Sequence, residues 1–300
     1  MIPYQNKTHQ IIEVNNEVIY SFIAEQDENI DPITVASFGE EWSKFAAFSA
    51  QEINEVGDQY FDILPKSLSL KEANVLDMGC GTGRWTKYLS DKVKFIEAVD
   101  PSKAVFSAHY LLKNESNVRI TQASVEHLPF PDNSFDLVFS LGVLHHIPDT
   151  KRAMQKCVNK VKTDGYFLVY LYYNLDNRGP FYKTIFHAST LIRRVVSKLP
   201  PGLKKLKCDV LAVTIYWPFI NIARLFRKVG LKNVAQKIPL SYYMDKTWNI
   251  IRNDALDRFG TPLEQRFSKM EIAKMMKDCG LTEIVFSKGE PYWHAIGRKL

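Results

Sequence analysis

The amino-acid sequence predicts an α/β protein built on a doubly wound, mostly parallel sheet, and three observations carry that prediction. An apolar run from Ala73 to Leu76 breaks into the glycine-rich stretch Asp77-Met-Gly-Cys-Gly-Thr-Gly83, and a helix-like segment follows from Arg84 to Leu89. Strand-like and helix-like segments then alternate as far as residue 173. Near the end, a helix with clear start and stop signals leads into two further strand-like segments. Parallel neighbours need long crossovers, usually helices, so this alternation covers both faces of one sheet.

Residues 11–23 read as a hairpin around an Asn15-Asn16 turn, within an N-terminal extension spanning 1–36. Ser37-Phe-Gly-Glu-Glu-Trp-Ser-Lys-Phe45 opens a helix-like stretch that runs toward Leu64 and is stopped by Pro65. Phe38, Trp42 and Phe45 suit a packing face on it. Beyond the glycine stretch the elements are a helix (84–91), a strand (94–100), a helix (102–113) and two strands (117–121, 135–141). A helix (149–162) and a strand (165–173) complete the series. Ser268 and Glu271 form a capping box for the late helix, Gly280 stands at its C-terminal cap, and residues 281–287 and 292–299 read as paired strands.

Between residues 174 and 261 the alternation is interrupted by interleaved aromatic and basic residues, helical on either side of Pro200-Pro201-Gly202. From 176 to 245 there are 13 Lys/Arg against 3 Asp in a chain of net charge +6, so the rest of the protein is net acidic. The long uncharged run here, 210–223, is interrupted by Pro218 and is shorter than the roughly 20 residues that cross a bilayer. The segment follows the fifth strand of the main series and therefore rises at the carboxyl edge of the sheet, where substrate-recognition material is usually grafted. The domain plan is thus an extension (1–36), a core (37–173 and 262–300) and a basic, aromatic helical insertion acting as substrate cap (174–261). A hydrophobic content of 46% with 24% charged residues supplies a full core. Four scattered cysteines without a C-x-x-C pair suggest neither a disulfide framework nor a zinc site, and no metal is expected. The first residues do not read as a signal peptide, so the expected location is cytoplasmic.

A strand that breaks into glycines and restarts as a helix brings backbone N–H groups to a nucleotide-like ligand. Arg84 stands where a dinucleotide fingerprint would have its third glycine, and Asp100 ends the next strand about 20 residues on, where a carboxylate suits a ribose diol. A third signal is Leu128-Pro-Phe-Pro-Asp-Asn-Ser-Phe-Asp136 running into Leu137-Val-Phe-Ser-Leu-Gly-Val-Leu-His-His146. Together these resemble the class I S-adenosylmethionine-dependent methyltransferases, of the small-molecule group that includes the ubiquinone and menaquinone methyltransferases. The resemblance covers roughly residues 37–172 and returns near 268–299. It implies a Rossmann-like seven-stranded sheet of order 3-2-1-4-5-7-6 with the last strand antiparallel, and S-adenosyl-L-methionine as cofactor. It also implies that Asp77, Gly79, Gly81 and Gly83 hold the cofactor's amino-acid end, that Asp100 accepts the ribose hydroxyls and that Leu141 lies against the methionine end. Ser124 and Val125 occupy the adenine turn, where many relatives carry Asp.

His145 and His146 follow the fourth strand of the series, and two roles are open to them: ordering the loop, or accepting a hydroxyl proton as the oxygen attacks. The position Ser140-Leu-Gly-Val143 lacks the Asn-Pro-Pro-Tyr type of tetrapeptide, which disfavours a base or amide nitrogen as acceptor. The resemblance therefore implies methyl transfer to a small or lipid/glycan-linked metabolite at oxygen. The alternatives are an RNA or other macromolecule methyltransferase with the insertion as its electrostatic footprint, and a non-catalytic S-adenosylmethionine-binding protein. The expected partners are the substrate and an anionic membrane touched peripherally through residues 176–245, with nucleic acid disfavoured.

Overall fold

The computed structural model describes residues 1–14, 17–24, 27–44, 49–176, 179–289 and 293–300. The expected Asn15-Asn16 turn, Phe45 and Tyr292 lie outside them. The chain forms two compact units, Met1–Asp176 with Leu263–Leu300, and Asn177–Pro262.

In the first unit the elements are β1 (Gln10–Val14), β2 (Glu17–Ser21), α1 (Pro32–Lys44), α2 (Ala50–Tyr60), β3 (Asn74–Met78), α3 (Arg84–Ser90), β4 (Phe95–Asp100) and α4 (Ala104–Leu112). They continue with β5 (Val118–Gln122), β6 (Phe135–Leu141), α5 (Thr150–Lys160) and β7 (Val161–Tyr170). The second unit holds α6 (Pro180–Val196), α7 (Pro201–Leu211), α8 (Trp217–Lys228), α9 (Lys232–Ala235) and α10 (Trp248–Gly260). The chain then returns to the first unit with α11 (Lys269–Asp278), β8 (Leu281–Phe286) and β9 (His294–Lys299).

The strands lie in the order β1-β2-β5-β4-β3-β6-β7-β9-β8, nine among the described residues where seven were expected. The stretch from β5 to β8 has the anticipated succession, and β9 runs antiparallel to both neighbours. The two additional strands are the N-terminal hairpin, which is part of the sheet rather than an extension beside it. Tyr20 and Ser21 pair in parallel with Thr121 and Gln122, covering what would be an exposed edge of β5. Burial of Ile19 and Phe22 secures the hairpin there.

Central strands β3 and β4 are buried because helices cover both sheet faces. Side chains alternate across the pleat, so the adjacent residues Val75 and Leu76 join separate hydrophobic clusters. The helix expected from 37 toward Leu64 is two helices. The second starts at a capping box in which Ser49 and Glu52 bond each other's backbone N–H, a signal legible in the sequence. Strand β7 ends at Tyr170 rather than 173, and Tyr173 makes an isolated bridge with Phe267.

The second unit has its own core, in which Tyr216, Ile220, Ile251 and Phe259 meet. Pro218, which interrupts the uncharged run 210–223, does not break the helix. Residues Ala212–Tyr216 form a π turn just before it, and Gly202–Lys228 runs as one helix of 27 residues. Proline lacks an N–H and crowds the carbonyl four residues back, so a widened turn ahead of it relieves the conflict.

One charge is buried in the middle of the sheet. Glu97 on β4 sits in register with Arg119 on β5, which donates through Nε at 2.8 Å and also reaches the Ile2 carbonyl at 2.6 Å. Burial pushes the Glu97 carboxyl up to about 7, against the opposing pull of Arg119. The unfolded chain releases this proton near the ordinary glutamate value, whereas the folded chain keeps it until about 7. The stability it contributes is therefore present at low pH and is lost as pH rises to 7. Arg119→Ala is expected to cost about 3 kcal/mol at pH 8, where an unpaired carboxylate must be buried, and clearly less at pH 5. Urea unfolding at both pH values checks this, and an equal loss at both would show that the Glu97 charge is not the cause.

Candidate functional site

Strands β3, β4, β5, β6 and β7 are parallel, so their carboxyl ends, Met78, Asp100, Gln122, Leu141 and Tyr170, share one edge. The glycine turn opens this edge. Gly79, Gly81 and Gly83 have φ of +81°, +53° and +82°, backbone that side chains with a Cβ rarely adopt. The N–H groups of Gly79 and Cys80 both donate to the Val99 carbonyl, at 2.7 and 2.9 Å, tying the turn to β4. A Cβ at Gly79 would lie 2.5 Å from Val143, and one at Gly83 would lie 2.7 Å from Leu112. Packing against Val143 already excludes a Cβ at Gly79, whereas at Gly83 the end of the Leu112 side chain would have to shift.

Two buried carboxyl groups flank the turn. Asp77, 1% exposed, accepts from Thr86 Oγ1 at 2.6 Å. Burial raises its carboxyl to about 7, with nearby Asp100 adding to the rise and the Thr86 hydrogen bond opposing it. The Asp100 carboxyl is also raised by burial. Its Oδ1 accepts both the N–H and the hydroxyl of Ser102, at 2.8 and 2.6 Å, while Oδ2 accepts the Gly81 N–H at 3.0 Å. Asp100 thus orders the turn after Pro101 and the glycine turn together, and Oδ2 retains a lone pair. Next to it Thr82 is buried, and its hydroxyl finds no hydrogen-bond partner among the described residues.

At the end of β5, Ser124 is buried beside Val125, and its hydroxyl donates to the carboxylate of Asp27. His127 Nδ1 stands 3.3 Å from the same Asp27 oxygen, and the Asn29 N–H donates to the other at 3.2 Å. Sequence reasoning missed Asp27, because 97 residues separate it from Ser124 and nothing local marks it.

Leu141 is buried at the end of β6. In the loop beyond it, His145 is 0% exposed, and its ring stacks on Tyr172 with centroids 3.9 Å apart. Neither of its ring nitrogens has a partner among the described residues, and burial, with His146 and Arg266 adding, holds its pKa well below the ordinary histidine value. Burial therefore favours the neutral form of His145, packed against Tyr172. His146 lies against Phe38, with ring centroids 4.8 Å apart, and its Nδ1 donates to the Leu263 carbonyl at 2.7 Å. That bond makes Nε2 the accepting nitrogen of the neutral ring.

A second histidine arrangement went unread in the sequence. Buried His294, paired with Tyr170 across β7 and β9, contacts Asp62 Oδ1 through Nε2 at 2.7 Å. Asp62 Oδ2 accepts from Ser287 at 2.8 Å, and the Tyr60 ring lies between His294 and Trp85 at 6.0 and 5.1 Å. Among the described residues no group of three or more His, Cys, Asp or Glu is arranged to hold a metal ion.

Residues 76–169 match the family described as a methyltransferase domain. YcgJ of Bacillus subtilis (strain 168), an uncharacterized methyltransferase, is 36% identical over 105 residues, which are 34% of this chain and 42% of that protein. The match takes in less than half of that relative's length. The ubiquinone biosynthesis O-methyltransferase of Neisseria meningitidis serogroup C is 23% identical over 231 residues, 74% of this chain and 90% of that protein. Among solved structures, a possible exported protein from Bordetella parapertussis shares the fold, with a TM-score of 0.50 at 12% identity over 87% of this chain and 79% of that one.

The contacts at the turn give a stability prediction. Gly280 also has positive φ, +86°, but nothing lies within 4 Å of a Cβ built there. Gly280→Ala is expected to cost about 1–2 kcal/mol for left-handed backbone alone. Gly83→Ala adds the collision with Leu112, about 1–3 kcal/mol more. Thermal unfolding of both variants checks the difference, and equal losses would mean that the collision is relieved without cost.

Proposed function

We propose that this chain, an enzyme whose residues 76–169 are a methyltransferase domain, uses S-adenosyl-L-methionine to methylate an oxygen of a small or lipid/glycan-linked metabolite. The observation that carries this reading is a positive-φ glycine turn flanked by buried Asp77, Asp100 and the Thr82 hydroxyl, with Asp27 bonded to Ser124 beyond the carboxyl end of β5. The set fits the cofactor group by group. Asp77 is a buried carboxyl suited to an ammonium, the Asp100 Oδ2 lone pair to a ribose hydroxyl, and Asp27 beside Ser124 to the adenine amino group. Asp27 makes good the carboxylate that Ser124 itself lacks. Val125 and Leu141 supply apolar wall.

When bound, the cofactor supplies a methyl group already activated on a sulfonium. The chain's part is to hold it, exclude water and aim the acceptor, so positioning supplies most of the rate. His146 Nε2 receives the acceptor's proton, with Nδ1 anchored on Leu263, while His145 packs behind it on Tyr172. The likeness to a ubiquinone biosynthesis O-methyltransferase supports oxygen as the acceptor atom.

Calorimetry with S-adenosylmethionine and S-adenosylhomocysteine tests the cofactor assignment. Both are expected to bind, NAD to fail, and Gly81→Val, Asp100→Ala and Asp27→Ala each to weaken binding at least tenfold. Asp77 accepts a proton as pH falls through about 7 and then no longer offers a charge to the ammonium. Affinity is therefore expected to drop about tenfold from pH 8 to pH 6, and Asp77→Asn to flatten that dependence. NAD binding without S-adenosylhomocysteine binding would overturn the cofactor assignment.

For the acceptor, labelled methyl transfer to extracted lipids, glycans and RNA is expected to mark a lipid, glycan or small metabolite. Label in RNA would overturn the substrate class and leave the cofactor assignment intact. His146→Ala is expected to cut turnover by about 100-fold with cofactor affinity unchanged, whereas full activity would remove His146 as the base.

A further inference from the structure

We propose that the second unit docks, through the outward face of its helix Gly202–Lys228, on a lipid bilayer carrying anionic headgroups, with the helix lying in the plane of the surface. This does not depend on the methyl-transfer reading. The helix carries two apolar stripes. Cys208, Ala212, Tyr216 and Ile220 recur every four residues and are buried in the unit's core. Leu203, Leu206, Val210, Val213 and Trp217 recur at intervals of three and four on another face and are 42–58% exposed. A surface helix ordinarily has one apolar stripe and a polar remainder, so a second stripe in solvent requires a cover. From residue 203 to 217 it runs about 21 Å, at 1.5 Å per residue.

By length and composition this helix is apolar enough to cross a membrane, and its polar ties decide against that orientation. Asp209 is paired with Arg252 at 2.7 Å, and the Tyr216 hydroxyl donates to Asp254 at 2.6 Å, both partners lying on α10. Crossing would carry these groups into hydrocarbon or tear them apart. Lying on the surface leaves them in place and inserts the outer stripe alone.

Charge selects the occupant. Residues 176–245 hold 13 Lys/Arg against 3 Asp. Of those acids, Asp209 is paired with Arg252, Asp245 with Arg227, and Asp176 accepts from the Trp293 indole. Lys207 and Lys228 on this helix, and Lys198 and Lys232 flanking it in sequence, are exposed. Lys204 is buried against Gly260 and is not part of the surface. A second copy of this chain would set a local balance of +10 against another +10, whereas an anionic bilayer complements both the charge and the apolar stripe. Trp217, half exposed at the end of the stripe, is a residue type that favours the headgroup level.

The test is co-sedimentation of the full chain with phosphatidylcholine vesicles, with and without phosphatidylglycerol, at low and high salt. The expected result is binding to the anionic vesicles at least tenfold stronger than to neutral ones, weakened by salt. Val210→Asp/Val213→Asp, at exposed positions, is expected to abolish binding while circular dichroism and melting temperature stay unchanged. Lys207→Glu/Lys228→Glu is expected to weaken it about tenfold. Undiminished vesicle binding by the double-Asp variant would overturn the proposal. So would no binding of the unaltered chain at low salt, or a dimer in sedimentation equilibrium that the double-Asp variant abolishes.

Discussion

The Val99 carbonyl holds the site's geometry together. By accepting from both Gly79 and Cys80 it bends the chain sharply at the end of β3, which the positive φ of Gly79 makes possible. The bend leaves Asp77 and Asp100 close enough that Asp100 is among the causes raising the Asp77 carboxyl. Two buried acids beside one another resist ionising together, and a cationic ligand relieves that resistance. The same turn lets Gly81 donate to Asp100, so the loop and the acid at the next strand's end order each other. A pre-formed, electrostatically unsatisfied edge is what a zwitterionic ligand needs, because little reorganisation remains to be done on binding.

The N-terminal hairpin belongs to this logic. Its pairing with β5 covers an open sheet edge, and the chain leaving β2 then delivers Asp27 to Ser124 and Asn29 to Glu126 and the Asp149 backbone. A side chain from one end of the sequence thereby completes a turn whose own residue is a serine. The carboxylate's position relative to the sheet is held by hydrogen bonds to Ser124 and to the Asn29 N–H, although Ser124 is remote in sequence.

Periodicity and turn chemistry made much of the first unit legible. The buried runs of β3 and β4, the glycine turn, and the Ser268–Glu271 capping box are each local, and local rules read them within a residue or two. What escaped depends on contacts between distant segments. Nothing near Tyr20 announces its parallel partner Thr121, nothing near Asp27 announces Ser124, and the His294–Asp62 pair spans 232 residues. His145 and His146 were recognisable as a pair but not separable. Their difference lies in the ring stacked on one and the carbonyl bonded to the other. The π turn that accommodates Pro218 likewise leaves no composition signal.

The second unit raises a different question, that of which surface is finished. Its inner stripe packs into a core with α6 and α10, so the fold of this unit does not need the outer stripe. Leu206, Val210 and Val213 therefore contribute apolar area that folding leaves in water, beside lysines that no acid among the described residues is shown to neutralise. Lysine stems can lie along such a face while their ammonium groups stay in water, an arrangement that suits the boundary between headgroups and acyl chains.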